Sequence, residues 1–152
     1  MLLHIASDHG GLELKEFIRQ HLLDRSVEVK DCGTINTDSV DYPDFGEKVA
    51  GAVSDGSADL GVLICGTGIG MSIVANKFPG VRAALAHDKF TAQMAKEHNN
   101  ANVLVLGGRI LTAAEAEVLI DTWLDSAFEA GRHQRRLDKI AELEQRLCKA
   151  KS

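Results

Sequence analysis

The stretch LGVLICGTGIGMSIVANK, residues 60–77, runs from an apolar segment through a glycine turn into a helical pattern. Six residues are too few for a helix, and LGVLIC (60–65) has no polar face, so it reads as a strand buried on both sides. A helix is expected from about Met71. Outward from this unit the chain repeats the same alternation. LLHIA (2–6), VEVKDCG (27–33), VRAALA (81–86) and NVLVLG (102–107) read as four more strands. LELKEFIRQHLL (12–23), DFGEKVAGAVSDG (44–56), DKFTAQMAKEH (88–98) and AAEAEVLIDTWLDSAF (113–128) read as helices between or after them, and TINTDSVDYP (34–43) as a polar loop. Strands that alternate with helices and lack a polar face predict an α/β fold: a doubly wound, five-stranded parallel sheet covered on both faces. One domain over 1–152 is expected. The tail HQRRLDKIAELEQRL (133–147) carries Leu137, Ile140, Leu143 and Leu147 at helical spacing. With no place in the sheet, the segment 133–149 is expected to be a helix that packs on a second subunit.

Bulk properties narrow the function classes. Hydrophobic residues make up 45% and charged residues 26% of 152 positions, with a net charge of −5, which argues against nucleic acid as a partner. The charge is uneven, since residues 132–151 hold seven Lys/Arg, Lys151 included, against three acids. The cysteines Cys32, Cys65 and Cys148 form no CxxC pair, so neither a disulfide framework nor a structural zinc site is expected. No apolar run reaches the roughly 20 residues of a membrane span, and no signal peptide is evident. A cytoplasmic setting without membrane association is the natural expectation.

In a doubly wound sheet, ligands bind at the carboxyl ends of the strands. Three such ends carry distinctive residues: SDHGG (7–11), CGTGIG (65–70) and GGR (107–109). GTGIG lacks the spacing of a dinucleotide fingerprint and of a Walker loop, and no cofactor or metal motif accompanies it. What remains is a turn whose backbone N–H groups can converge on an anion or on a developing oxyanion; the plain alternative is a tight turn without a ligand. Cys65, ending the central strand beside that turn, sits where a thiolate is favoured and can serve as base or nucleophile, although most cysteines are small buried hydrophobes. His98 can move protons near neutral pH and Asn99 can bond an oxyanion; the EHNNAN loop is expected at the ligand edge, with a purely structural histidine the even alternative. Asp8 and His9 suit hydroxyl and anion binding, or simply a turn. Arg132 and Arg136 share a helix face and, with Arg109 and His9, can clamp a phosphate; a solvated basic face is the commoner fate. The set fits proton transfer next to a carbonyl in a small anionic substrate.

The stretches SDHGG, DYPDF (41–45), ICGTGIGMSIVANK (64–77), HNNANVLVLGGR (98–109) and GRHQRRLDKI (131–140) together resemble the type B ribose-5-phosphate isomerases, the family that includes the galactose-6-phosphate isomerase subunits. The resemblance implies a Rossmann-like α/β/α sandwich. It also implies a homodimer, sometimes paired into a tetramer, with active sites at the subunit interface, and cofactor-free interconversion of ribose 5-phosphate and ribulose 5-phosphate in the pentose phosphate pathway. It implies Cys65 as the base between C1 and C2; members without this cysteine use a glutamate in the glycine loop, where this chain has Ile69. It implies Thr67 and His98 in ring opening. Gly66, Gly68 and Gly70, with Asn99, would stabilise the enediolate, and Asp8 and Tyr42 would contact the sugar. His9, Arg109, Arg132 and Arg136 would hold the phosphate, with His98, Asn99 and Arg109 reaching in from the partner. An isomerase of allose 6-phosphate or galactose 6-phosphate, and a non-catalytic sugar-phosphate-binding module, are the alternatives.

Overall fold

Leu2–Ser7 (β1), Glu28–Asp31 (β2), Leu60–Cys65 (β3), Ala83–Leu85 (β4) and Val103–Gly107 (β5) form one sheet in the order β2-β1-β3-β5-β4, with every neighbouring pair parallel. The computed structural model describes residues 1–150; residues 151–152 of the expected domain, with Lys151 of the basic tail, lie outside the described residues. The helices are Leu12–Asp24 (α1), Tyr42–Asp55 (α2), Ile69–Ala75 (α3), Lys89–Glu97 (α4), Ala113–Asp125 (α5) and Arg132–Ala150 (α6). The α/β, doubly wound architecture expected from the alternation is present.

Strand alternation divides the interior into two cores. Leu3, Ile5, Val62, Ile64, Leu104 and Leu106 face α1, α4 and α5, where Ile18, Ala92, Ile120 and Trp123 are fully buried. Ala6, Leu63, Cys65, Val103 and Val105 face α2 and α3. Trp123 meets its polar requirement by donating its indole N–H to the Ala101 carbonyl at 3.1 Å. Helix α6 lies outside both cores: Ile140, Leu143 and Leu147 stay about half exposed, and Glu144 accepts from the Gly80 N–H.

Several boundaries differ from the sequence expectation. Tyr42 and Pro43 belong to α2 rather than to the loop before it, because Pro at the first turn of a helix costs no hydrogen bond and presets φ. Helix α3 starts at Ile69, directly after the left-handed Gly68 (φ +80°). Helix α5 stops at Asp125, where Ser126 turns extended and its hydroxyl donates to the Thr122 carbonyl. Strand β4 shrinks to Ala83–Leu85 because Arg82 is drawn aside: its guanidinium bonds the carbonyls of Asn99 and Asn100.

Candidate active site

Three turns meet at the carboxyl edge of the sheet through main chain. Gly108 and Arg109 donate their N–H groups to the carbonyls of Cys65 and Gly66, at 2.8 and 2.9 Å. A Cβ on Gly108 would lie 2.8 Å from the Gly10 carbonyl oxygen, and one on Gly11 would lie 2.9 Å from the Ile64 carbonyl. Glycine at 11 and 108 therefore lets the turns after β1, β3 and β5 touch.

Cys65 ends β3 and is 5% exposed. The Gly68 N–H donates to its Sγ at 3.2 Å. That donor is committed to the sulfur, which differs from the expectation that it faces the reacting oxygen. Gly68 is required twice over: φ is +80°, and a Cβ would meet Leu85 Cδ1 at 2.4 Å. The Thr67 hydroxyl accepts from the Ile69 N–H at 3.3 Å, and the Thr67 side chain is exposed. The Gly70 N–H belongs to the first turn of α3, where no intrahelical acceptor exists. A Cβ at Gly70 would collide with the Tyr42 ring at 2.7 Å, so α2 lays its first residue across the glycine loop.

Asp8 is nearly buried, and its Oδ1 accepts from the N–H groups of Gly10 and Gly11 at 2.9 and 3.2 Å. His9 Nδ1 accepts from the Val40 N–H at 3.2 Å, which places the hydrogen of the neutral ring on Nε2. The Arg109 guanidinium lies over Gly66 and Gly10, 3.2 and 3.4 Å from where their Cβ atoms would be. Arg109 thus stands beside the Cys65 and Asp8 of its own chain, at the carboxyl edge where the strand end GGR is expected, and apart from His98 and Asn99, with which the resemblance groups it. The backbone ties of Gly108 and Arg109 to the glycine loop enforce this.

His98, Asn99, Arg132 and Arg136 are elsewhere. Each helix that links two strands returns antiparallel to them, so α4 ends at the amino edge of the sheet. Asn99 and Asn100 bond Arg82 just before β4, and Asn102 accepts from Gly61 at the start of β3. The expectation that EHNNAN lies at the ligand edge of its own chain is therefore incorrect. Arg132 and Arg136 open α6 at that same amino edge, so the clamp of His9, Arg109, Arg132 and Arg136 is not assembled within one chain. Around His98 the fold adds two residues that motif reading leaves unassigned. The His133 ring stacks on that of His98 with centroids 4.1 Å apart, and Glu129 Oε2 lies 3.8 and 3.5 Å from the Nε2 atoms of His98 and His133. Burial, then the charges of His98, Arg132 and Arg136, hold His133 below its ordinary pKa. The string EAGRH was the available signal.

His98, Glu129 and His133, and separately His21, Glu117 and Asp121, are groups whose ligand atoms lie within 4.8 Å of one another. In each group two members are four apart in sequence, Glu129 with His133 and Glu117 with Asp121, and the third comes from another element. Among the described residues, no helix is long and apolar enough to cross a membrane.

Comparison with known proteins agrees with this fold. Residues 3–140 match the family model described as Ribose/Galactose Isomerase. The chain is 46% identical over 139 residues to ribose-5-phosphate isomerase B of Escherichia coli, covering 91% of this chain and 93% of that protein. Among solved structures it resembles ribose-5-phosphate isomerase B of Clostridium thermocellum, with a TM-score of 0.95, 50% identity and coverage of 97% and 99%. It also resembles the Mycoplasma genitalium enzyme solved with bound ribulose-5-phosphate, with a TM-score of 0.92, 48% identity and coverage of 95% and 96%. Matched from the first strand into the last helix, the chain belongs to the Ribose/Galactose Isomerase family.

Proposed function

We propose that this protein interconverts ribose 5-phosphate and ribulose 5-phosphate, in the cytoplasm, with Cys65 as the base. The observation that carries the reading is the buried Cys65 sulfur, solvated by the Gly68 N–H at 3.2 Å and set beside Asp8 and Arg109. A pure binding module has no need of a thiol there. The relatives named above carry this activity in their names, and one holds the ketose product.

The complete site draws on two copies. One copy gives Asp8, His9, Tyr42, Cys65, the glycine loop and Arg109; the other gives His98, Asn99, Arg132 and Arg136. A two-fold dimer that lays the amino edge of one sheet against the carboxyl edge of the other closes two such sites at once, with α6 supplying part of the contact. Ring opening begins when the anomeric hydroxyl loses its proton to His98 and its O–H electron pair forms the carbonyl. The ring C–O pair passes to the ring oxygen, protonated through the Thr67 hydroxyl with water as the source. Cys65 then removes the C2 proton, and the electron pair moves through a C1–C2 double bond onto the C1 oxygen. The amides of Gly66 and Gly70, with Asn99, stabilise that oxygen, which is the larger part of such catalysis. The C2 hydroxyl gives up its proton and the C1 oxygen takes one, and as the C2 oxygen's electron pair forms the ketone the double-bond pair takes the thiol's proton at C1. His9, Arg109, Arg132 and Arg136 hold the phosphate, and Asp8 and Tyr42 hold the sugar.

The test is ketose formation from ribose 5-phosphate by purified protein with EDTA present, with Cys65→Ser in parallel. Turnover by the wild type and loss of at least about a thousandfold in the variant is expected. Equal turnover by both removes Cys65 from the chemistry. Turnover only on allose 6-phosphate or galactose 6-phosphate would move the substrate to six carbons.

A further inference from the structure

The connection between α5 and α6 builds the surroundings of His98. Ala130 and Gly131 both take left-handed φ, +53° and +54°, and turn the chain sharply. The Glu129 N–H is fixed to the Glu97 carbonyl at 3.0 Å, and the His133 N–H to the Ala130 carbonyl at 2.9 Å. Non-glycine residues adopt such φ at a cost, and the turn brings Glu129 and His133 to one point. His133 is 4% exposed, and its Nε2 is a buried polar atom without a hydrogen-bond partner. Its ring lies 13° from parallel to that of His98. Nearly parallel rings keep their in-plane lone pairs in two separate stacked planes. This suits a stacked pair that shares one carboxylate better than an ion held among three ligands. Two positive imidazoles in stacking contact would repel. The charged groups about the pair are Glu129 from the connection and Arg132 and Arg136 from α6.

We propose that Glu129 and His133 are positioning residues for His98: His133 fixes the plane of its ring by stacking, and Glu129 stabilises the proton that His98 takes from the substrate. This rests on the reading of His98 as the ring-opening base. His133 is the buried ring of the pair, and His98 is the more exposed one, with the Glu129 carboxylate 3.8 Å from its Nε2. The base is then a three-residue unit delivered whole by one end of the molecule to the Cys65 half of another copy.

The test uses the full chain carrying Glu129→Gln, His133→Phe or His133→Ala, with kcat and KM for ribose 5-phosphate followed across pH and the His98 ring signals followed by NMR. Glu129→Gln is expected to lower kcat about tenfold with KM within about twofold, and to move the acid limb of kcat to lower pH, because a proton on the base has lost its partner. His133→Phe keeps the stack and retains kcat within about threefold, whereas His133→Ala loses about tenfold and shifts the His98 ring signals away from their stacked position. The proposal is overturned if Glu129→Gln leaves the pH profile in place, if the losses fall on KM alone, or if His133→Ala leaves the His98 signals unmoved. The NMR readout needs no substrate. A folded wild type without turnover therefore defeats the isomerase reading while the stacking of His98 is still decided.

Discussion

Cys65 and His98 stand at opposite edges of one sheet, Cys65 at the carboxyl end of β3 and His98 at the end of a helix that has run back to the amino side. Neither can serve the other within a chain. Mixing Cys65→Ser chains with His98→Ala chains is therefore expected to restore activity that each lacks alone. A random mixture of two-fold dimers holds half hybrids, and each hybrid has one intact site of two, so recovery should approach about a quarter of wild-type turnover. Assay after co-refolding checks this; no recovery places both residues in one chain's site.

Gly68→Ala is expected to damage stability and chemistry together. A left-handed φ costs a side chain about 1–2 kcal/mol, and the clash with Leu85 adds an overpacking cost of similar size. Loss of about 2–4 kcal/mol in urea unfolding is expected, with turnover lost even in the folded fraction because the N–H on Cys65 Sγ moves.

Arg136→Ala is expected to raise KM more than it lowers kcat, since a phosphate remote from the reacting carbons is bound alike in ground and transition states. Steady-state kinetics separate the two. A large fall in kcat at constant KM would remove Arg136 from the phosphate.

Acidification is expected to destabilise the fold near the ordinary histidine range. Burial, then the charge of Lys30, lowers the pKa of His4 below 6.5, and burial lowers that of His133. As pH falls through about 6.5 the unfolded chain takes protons that the folded chain refuses, so stability is lost in that direction. Urea midpoints should be lower at about pH 5.5 than at about pH 7.5, and His4→Gln should flatten the slope. An unchanged slope in that variant removes His4 from the effect.

The sequence makes one half of the site legible and misplaces the other. Apolar strands, GTGIG and Cys65 are local signals, and they put the thiol where the strand ends. His98 is misplaced because the polar loop that closes its helix looks like a ligand loop; in a parallel α/β unit the end of a helix and the end of a strand lie at opposite edges. The strand end GGR puts Arg109 at the ligand edge, but the backbone bonds that tie it to Cys65 and Gly66 have no local signal. Glu129 and His133 depend on a left-handed turn at Ala130 and Gly131, and Ala130 gives no propensity signal for it. Tyr42 was near the right place, but reading Pro43 as a loop residue hid that both begin a helix.

The main-chain junction of the turns after β1, β3 and β5 has a consequence for how this site can change. Where Gly11, Gly68 and Gly108 leave no room for a Cβ, substitution has nothing to vary. The floor is fixed by packing as firmly as by chemistry. Divergence toward longer or differently branched sugars has to arise in the walls: in residues 34–41 above His9 and, in the dimer proposed above, in the 98–102 turn of the second copy. One half of such a pocket is conserved by sterics, and the other is free to learn new substrates.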